Sequence, residues 1–471
     1  MYKNKYLAIV IAALTASELQ AFQLAPRLVV NITIDQLRSD YMEAFAPLYG
    51  TDGLRKLMEQ SIVYDAASYP YAPVDKASAV ATLSTGTTPY YHNIVSRKWL
   101  DRATLRPTFC IDDQQHYLSP ARLATTTVGD EMKISSNGAS IVYSVAVAPE
   151  CAILSAGHAA DAALWIDANT GRWRTSTYYG ATPPMWFKAY TTIESQKPKN
   201  KELTNDAVVD MSLQVIKSTA MGKDEVSDMI NIVLSASKED ETPAGNWKTE
   251  MESVYMHLDK TLERLVAGIE KEVGREHALF VITSTGYAEE NTTDLARYRI
   301  PTGTFYINRT ANLLNMYLSA IYGQGRYAEA CHQNQIYLNH KLIEQKYVSM
   351  SEILDRSKEF LVLSAGVSDV YTSERLLAGN NDIQKIRNGF NPIISGDIII
   401  EVTPGWKLLN EDTQETFTSR SGYVPFPIII YGAGTKPQRI NTQVTVDRIA
   451  PTIAKSIRIR APNACSAAPL F

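Results

Sequence analysis

Histidine is scarce in this chain. Seven occur in 471 residues, none between His158 and His257 and none after His340. A centre of several metal ions built on imidazole draws on a larger supply. Cysteine is scarce too: Cys110, Cys151, Cys331 and Cys465, with no C-x-x-C pair, which excludes a thiolate zinc site. Neither sign of charge dominates. Lys plus Arg number 46 against 50 Asp plus Glu, a net charge of −4, so the electrostatic footprint of a nucleic-acid binder is missing. After the first residues no apolar run is long enough to span a bilayer, and the chain is expected not to be transmembrane. The composition of a disordered chain is missing as well, because 45% of residues are hydrophobic and only 20% charged.

At the N-terminus Lys3 and Lys5 precede an apolar run from Tyr6 to Leu14, and a short polar stretch ends at Ala21. This is the pattern of a secretory signal peptide, residues 1–21, and predicts a periplasmic or secreted protein. Export permits disulfides. Four cysteines allow three full connectivities, and a Cys110–Cys151 bridge is favoured among them.

Short runs rich in β-branched residues recur at Arg27 to Ile34, Ile141 to Val147, Ile230 to Ser235, Ala278 to Thr283, Asp397 to Val402 and Ile428 to Tyr431. Helical patterns occur at Asp52 to Gln60, Thr204 to Lys217, Lys248 to Val273 and Val446 to Ser456. Strands alternating with helices predict an α/β sandwich around a mostly parallel sheet, with helices on both faces. Chemistry in such sheets sits at the carboxyl ends of strands, where Asp35 lies.

Two stretches break the rhythm. Residues 165–201 read as a surface insertion, and residues 308–391 as a helical cap between core segments 22–307 and 392–471. The insertion gathers Trp173, Tyr178, Tyr179 and Trp186 around Arg174, the residue types of interface anchors. It reads either as a candidate binding surface or as an insertion packed on the core.

Five segments in order resemble the alkaline phosphatase superfamily, in particular the periplasmic two-zinc alkaline phosphatases with a threonine nucleophile and the type I phosphodiesterases/nucleotide pyrophosphatases. They are VVNITIDQLRSDY ending strand one with Asp35, STGTTPYYHNI (Ser84 to Ile94), AILSAGHAADAALWID (Ala152 to Asp167), SGDIIIEVTPGW (Ser395 to Trp406) and TVDRIAPTIAKSIRIRAPN (Thr445 to Asn463). The resemblance implies the fold of that superfamily. It also implies phosphate-ester hydrolysis through a covalent phospho-enzyme, with two zinc ions holding the attacking and leaving oxygens.

Residue by residue, the implied site is not there. The nucleophile should lie nine residues before the threonine of TGTTP, where Lys76 stands. The Asp-x-x-x-His pair after NIVLSAS falls on Lys238 and Thr242, and the Asp-His pair after ALFVIT on Ser284 and Thr285. The last histidine should lie just before VPFPIIIYG, where the sequence reads TSRSGY and holds none. The phosphate clamp falls on Ala148 and Glu150, and the clamp asparagine on Arg97, ahead of Trp99. Glutamate repels a phosphate dianion at close range. Asp35 alone keeps a metal-ligand position, so no zinc is expected to be held.

Asp35 then reads either as a helix cap or as a carboxylate neutralised by Lys76 in place of a metal; Lys76 could also point into solvent. His92 and His158 are expected to be structural. The functional expectation is an exported, catalytically inactive pseudophosphatase, a binding or scaffold protein of the cell envelope with a protein or glycan partner. The alternative is a phosphomonoester or phosphodiester hydrolase with a rearranged site, in which Ser78, Thr82 or Thr85 works beside Asp35.

Overall fold

The computed structural model describes residues 25–194, 204–237, 247–287, 299, 301–379, 381–417 and 424–471. The signal-peptide reading, Lys238 and Thr242 lie outside the described residues.

The strands, in chain order, begin with β1 (Leu28–Asp35), β2 (Ile62–Ser68), β3 (Val142–Ala146), β4 (Ala162–Ile166) and β5 (Trp173–Thr175). They continue with β6 (Asp228–Ser235), β7 (Ala278–Ser284), β8 (Ala328–His332), β9 (Gln335–Leu338), β10 (Val367–Thr372) and β11 (Ile398–Val402). β12 (Phe426–Gly432) and β13 (Gln438–Ile440) complete the set used here. The main sheet runs β13-β2-β12-β7-β1-β6-β3-β4-β5. Its centre, β7-β1-β6-β3-β4, is parallel throughout. β12 is antiparallel to both β7 and β2, and β5 is antiparallel to β4. The sheet is therefore mostly parallel, as the alternation of strands and helices implies.

All eight residues of β1 are buried and five are apolar, as a central parallel strand covered on both faces requires. Leu28, Val30, Ile32 and Ile34 face one core with Leu258, Leu262 and Leu265. Val29 faces the other, with Ala77, Ala81, Ile153 and Ile449. Each fully buried Ile or Leu here contributes roughly 1.5–3 kcal/mol relative to exposure. The helices follow the same division. α1 (Lys76–Thr85), α2 (Val128–Ser135) and α3 (Pro149–Ala156) serve the Val29 side; α4 (Thr204–Ser218) and α5 (Trp247–Val273) serve the Leu28 side. Because side chains alternate along a strand, Asn31, Thr33 and Asp35 share the side of Val29. Asp35 thus ends β1 on the face that carries α1.

Three expectations about organisation need correcting. The stretch 308–391 is mixed rather than helical: alongside α6 (Ile307–Tyr322) and α7 (Met350–Leu361) it carries β8, β9 and β10. These join β11 in a four-stranded antiparallel sheet, β8-β9-β11-β10, over its own apolar core. The run Asp397 to Val402 therefore belongs to that sheet and not to the main one, a partner choice that a short apolar run does not encode. The stretch from Trp165 is not simply a surface insertion either, since β4 and β5 extend the main sheet to its edge.

Candidate functional site

The site at the end of β1 is built from three elements. α1 begins at Lys76 because Asp75 caps it. The Asp75 carboxylate accepts from the Ser78 amide at 2.8 Å, and the Ser78 hydroxyl accepts from the Asp75 amide at 3.0 Å. This reciprocal box fixes the first helical residue against the strand end. The second element is β1 itself, which presents Asp35, 1% exposed. The third is the turn after β7. There Gly286, at φ 69°, lies so close to Tyr69 and Phe426 that a Cβ would meet their rings at 2.6–2.7 Å. Only glycine allows that approach, and Tyr287 follows it.

Lys76 Nζ lies 2.6 Å from Asp35 Oδ2. The Thr285 hydroxyl donates to Asp35 Oδ1 at 2.8 Å and accepts from the Gln36 amide at 3.0 Å. Tyr287 lies near the Asp35 carboxylate, and its own pKa is pushed up by burial first and by Asp35 second. Burial alone would depress the Lys76 ammonium, but the Asp35 charge more than reverses this, with smaller help from Cys151 and Glu150, and the pKa is raised. Of the two readings of Lys76, the one pairing it with Asp35 describes the geometry. The pair satisfies two demands: a carboxylate cannot stay charged and buried alone, and a cation at a helix N-terminus opposes the dipole.

A second pair stands beside it. Arg97 Nε lies 2.8 Å from Glu150 Oε1. The Arg97 amide donates to Asp75 Oδ2 at 2.5 Å. Glu150 is 2% exposed, and its other oxygen, Oε2, finds no hydrogen bond among the described residues. Burial raises the Asp75 pKa despite the bonds from Ser78 and Arg97.

Other residues singled out from sequence are engaged elsewhere. Ser284 donates to the Leu37 carbonyl at 2.9 Å. Ser78 belongs to the capping box, the Thr82 hydroxyl meets His92 Nε2 at 3.0 Å, and Thr85 bonds the Ala81 carbonyl. His92 Nδ1 accepts from the Ile94 amide, and burial pushes the imidazole down to about 3, so it is neutral and structural. His158 bonds Asp130 at 3.1 Å and the Leu123 carbonyl at 3.0 Å, also a packing role. The Cys110–Cys151 bridge is not formed. Both are free, buried thiols, pushed up in pKa chiefly by burial.

Of the aromatic surface residues, one is inside and the others are partly covered. Trp173 is buried in β5, and Trp186 packs against Tyr143 and Phe187. The Tyr179 hydroxyl donates to the Gly157 carbonyl at 2.9 Å. Tyr178 is half-buried, and Arg174 alone of the five is exposed. Trp173 turns inward because β5 makes its segment the edge of the main sheet.

Comparison with known proteins places this geometry. The model of the type I phosphodiesterase/nucleotide pyrophosphatase family matches residues 29–424. The chain belongs to that family. It lies within the alkaline phosphatase superfamily. It is 23% identical to alkaline phosphatase PafA of Elizabethkingia meningoseptica, over 94% of both chains. It is 23% identical to alkaline phosphatase PhoV of Synechococcus elongatus, over 93% of this chain and 91% of that one. A protein of Myroides odoratus named calcium-transporting ATPase is 24% identical over 93% of both. The crystal structure of wild-type PafA superposes with a TM-score of 0.84 at 22% identity, covering 95% of this chain and 98% of that one.

Among the described residues, the ones at the expected ligand positions do not fit the two zinc ions that the superfamily implies. Asp35 Oδ2 lies against the Lys76 ammonium and Oδ1 accepts from Thr285, so a cation already stands where a metal would bind and would repel it. Ser284 and Thr285 bring hydroxyls where carboxylate and imidazole are needed. Among the described residues no group of three or more His, Cys, Asp or Glu is placed to hold a metal. Sequence reasoning missed Tyr287 and the Arg97–Glu150 pairing. The signal for the second was present in two charge changes of opposite sign at neighbouring positions of one ancestral clamp.

Proposed function

We propose that this family member is a catalytically inactive pseudophosphatase, exported through its N-terminal segment and acting as a binding or scaffold protein of the cell envelope. The observation that carries the reading is the Lys76–Asp35 ion pair. It puts a fixed cation where the resemblance expects both a nucleophilic hydroxyl and a metal. Lysine in its charged form offers neither an oxygen to phosphorylate nor a lone pair to a metal. Glu150 at the clamp position, paired with Arg97, removes the positive field that a phosphate ester needs. A protein or glycan of the envelope is the partner class, and nucleic acid is disfavoured by the net charge of −4. No described helix is long and apolar enough to cross a membrane.

The test is the zinc content of the purified mature protein after zinc loading and desalting. It is run alongside hydrolysis of p-nitrophenyl phosphate and bis-p-nitrophenyl phosphate. Near-zero zinc with background hydrolysis is expected. One or two tightly held zinc ions, or turnover abolished by Asp35→Asn, overturns the reading in favour of the hydrolase.

A further inference from the structure

A groove of about 700 Å³ opens where the Arg102 loop, the strand pair β8–β9 and the segment before β11 come together. That is the size range of small-ligand sites. Its two ends differ chemically. One is apolar: Phe390 is buried beneath it, while Leu377 and Ile393 stand 52% and 76% exposed along it. The other is charged and rigid. Asp397 is 4% exposed and accepts from the Leu338 amide at 2.8 Å, from both terminal nitrogens of Arg102 at 3.2 and 3.3 Å, and from His340 Nε2 at 2.8 Å.

This buried carboxylate anchors the polar end and consumes the Arg102 charge. Three groups remain. Glu329 is half-buried, lines the groove and takes no ion pair among the described residues. Burial raises its pKa, with His340 nearby acting in the opposite sense. Lys341 lines the groove, exposed and likewise without an ion pair among the described residues. His340 has its second nitrogen, Nδ1, left over, and its hydrogen bond to Asp397 favours the protonated ring. One unmatched carboxylate, one unmatched ammonium and one N–H donor thus line the same groove as the apolar side chains.

We propose that this groove binds a free α-amino acid with a large apolar side chain. Its ammonium pairs with Glu329, and its carboxylate with Lys341 and the Nδ1–H of His340. Its side chain lies over Phe390, Leu377 and Ile393. A phosphate dianion is disfavoured by Glu329, and a metal ion by the two cations. A zwitterion matches all three unmatched groups at once, with hydrogen bonds that are charge-assisted on both ends. The groove shares no residue with the Asp35–Lys76 site, so its occupancy is independent of the reading proposed above.

The experiment is titration calorimetry of the full mature chain with L-leucine, leucinamide and N-acetyl-L-leucine. Saturable binding of L-leucine is expected, weakened about tenfold or more when either charge of the ligand is removed. Glu329→Gln abolishes the discrimination against the N-acetyl form, and Lys341→Ala that against the amide. Both positions are accessible, and unchanged melting temperatures verify that the variants fold. The proposal is overturned by any of three results. These are absence of binding at millimolar L-leucine and L-phenylalanine, equal affinity for the neutralised analogues, or binding of L-leucine that is unchanged in both variants.

Discussion

Replacing Lys76 by alanine isolates the contact on which the functional reading rests. The pair is 2.6 Å long, with Asp35 1% and the lysine side chain 35% exposed. At an effective dielectric of about 20 its gross attraction is about 6 kcal/mol. Desolvation of both ions offsets much of that, and the accessible third of Lys76 lets solvent screen the rest. A net loss of about 2–3 kcal/mol is expected at neutral pH, mostly from leaving Asp35 buried with Thr285 as its hydrogen-bond partner. Urea denaturation of wild type, Lys76→Ala, Asp35→Asn and the double variant at about pH 7.5 reads it. The double-variant cycle is expected to show a coupling of about 2 kcal/mol. Additive single effects would show that the two side chains do not interact and refute the reasoning.

Three further outcomes follow from the same site and its supports. Lys76→Thr, which supplies a hydroxyl at the nucleophile position, is expected to leave zinc content near zero and p-nitrophenyl phosphate hydrolysis at background. A single substitution supplies no imidazole, so recovered turnover would contradict the ligand accounting. Arg97→Ala leaves Glu150 buried and unpaired; since Arg97 is itself 57% exposed, the expected loss is only about 1 kcal/mol, and Glu150→Gln in the same chain recovers most of it, as read by chemical denaturation. The Asp130–His158 bond predicts a stability window. Burial would raise Asp130, but His158, Thr127 and Ala159 outweigh it and lower its pKa, while Asp130 raises that of His158. The His158 contribution is complete below about pH 6.5 and lost as pH rises through the raised folded value; that of Asp130 is complete above about pH 4 and lost on acidification. His158→Gln should therefore flatten the decline in stability above pH 6.5, and an unchanged profile in thermal melts would count against the assignment.

The sheet was legible in the sequence where residues are buried on both faces. β1, β3, β6 and β7 read as mostly apolar runs, because nearly every residue in them is buried on one face or the other. β11 reads the same way, IIIEV, yet pairs in the second sheet, since a run of that length states burial and not partnership. The long middle stretch was read as helical from α6 and α7, whose amphipathic periods are clear, while β8 and β9 are short and carry Glu329, His332 and Gln335 among their apolar residues. The aromatic stretch misled for a related reason. Trp and Tyr serve interfaces and sheet edges alike, and only β5 pairing with β4 shows that Trp173 faces inward. At the site, Asp35 and Lys76 were readable from motif position alone. Tyr287 was not, because its reach depends on the backbone turn at Gly286.

On the proposed reading, the two ion pairs are one rearrangement of charge. A two-metal phosphatase site carries several carboxylates whose charge the metals neutralise, and a positive clamp whose charge the phosphate neutralises. Remove the metals, and any carboxylate left in place must find a cation or protonate. Asp35 found Lys76, on the helix that the Asp75 cap already aims at it. Remove the phosphate, and the clamp is free to change sign: Glu150 now stands there, buried, with Arg97 opposite. Either carboxylate taken alone would be buried and unpaired, a defect of about 1–3 kcal/mol. Taken in pairs, the charges tie β1 to α1 and the Arg97 segment to α3, with Glu150 Oε2 left without a hydrogen bond among the described residues. On the proposed reading, this set of contacts maintains the fold without a phosphate ester.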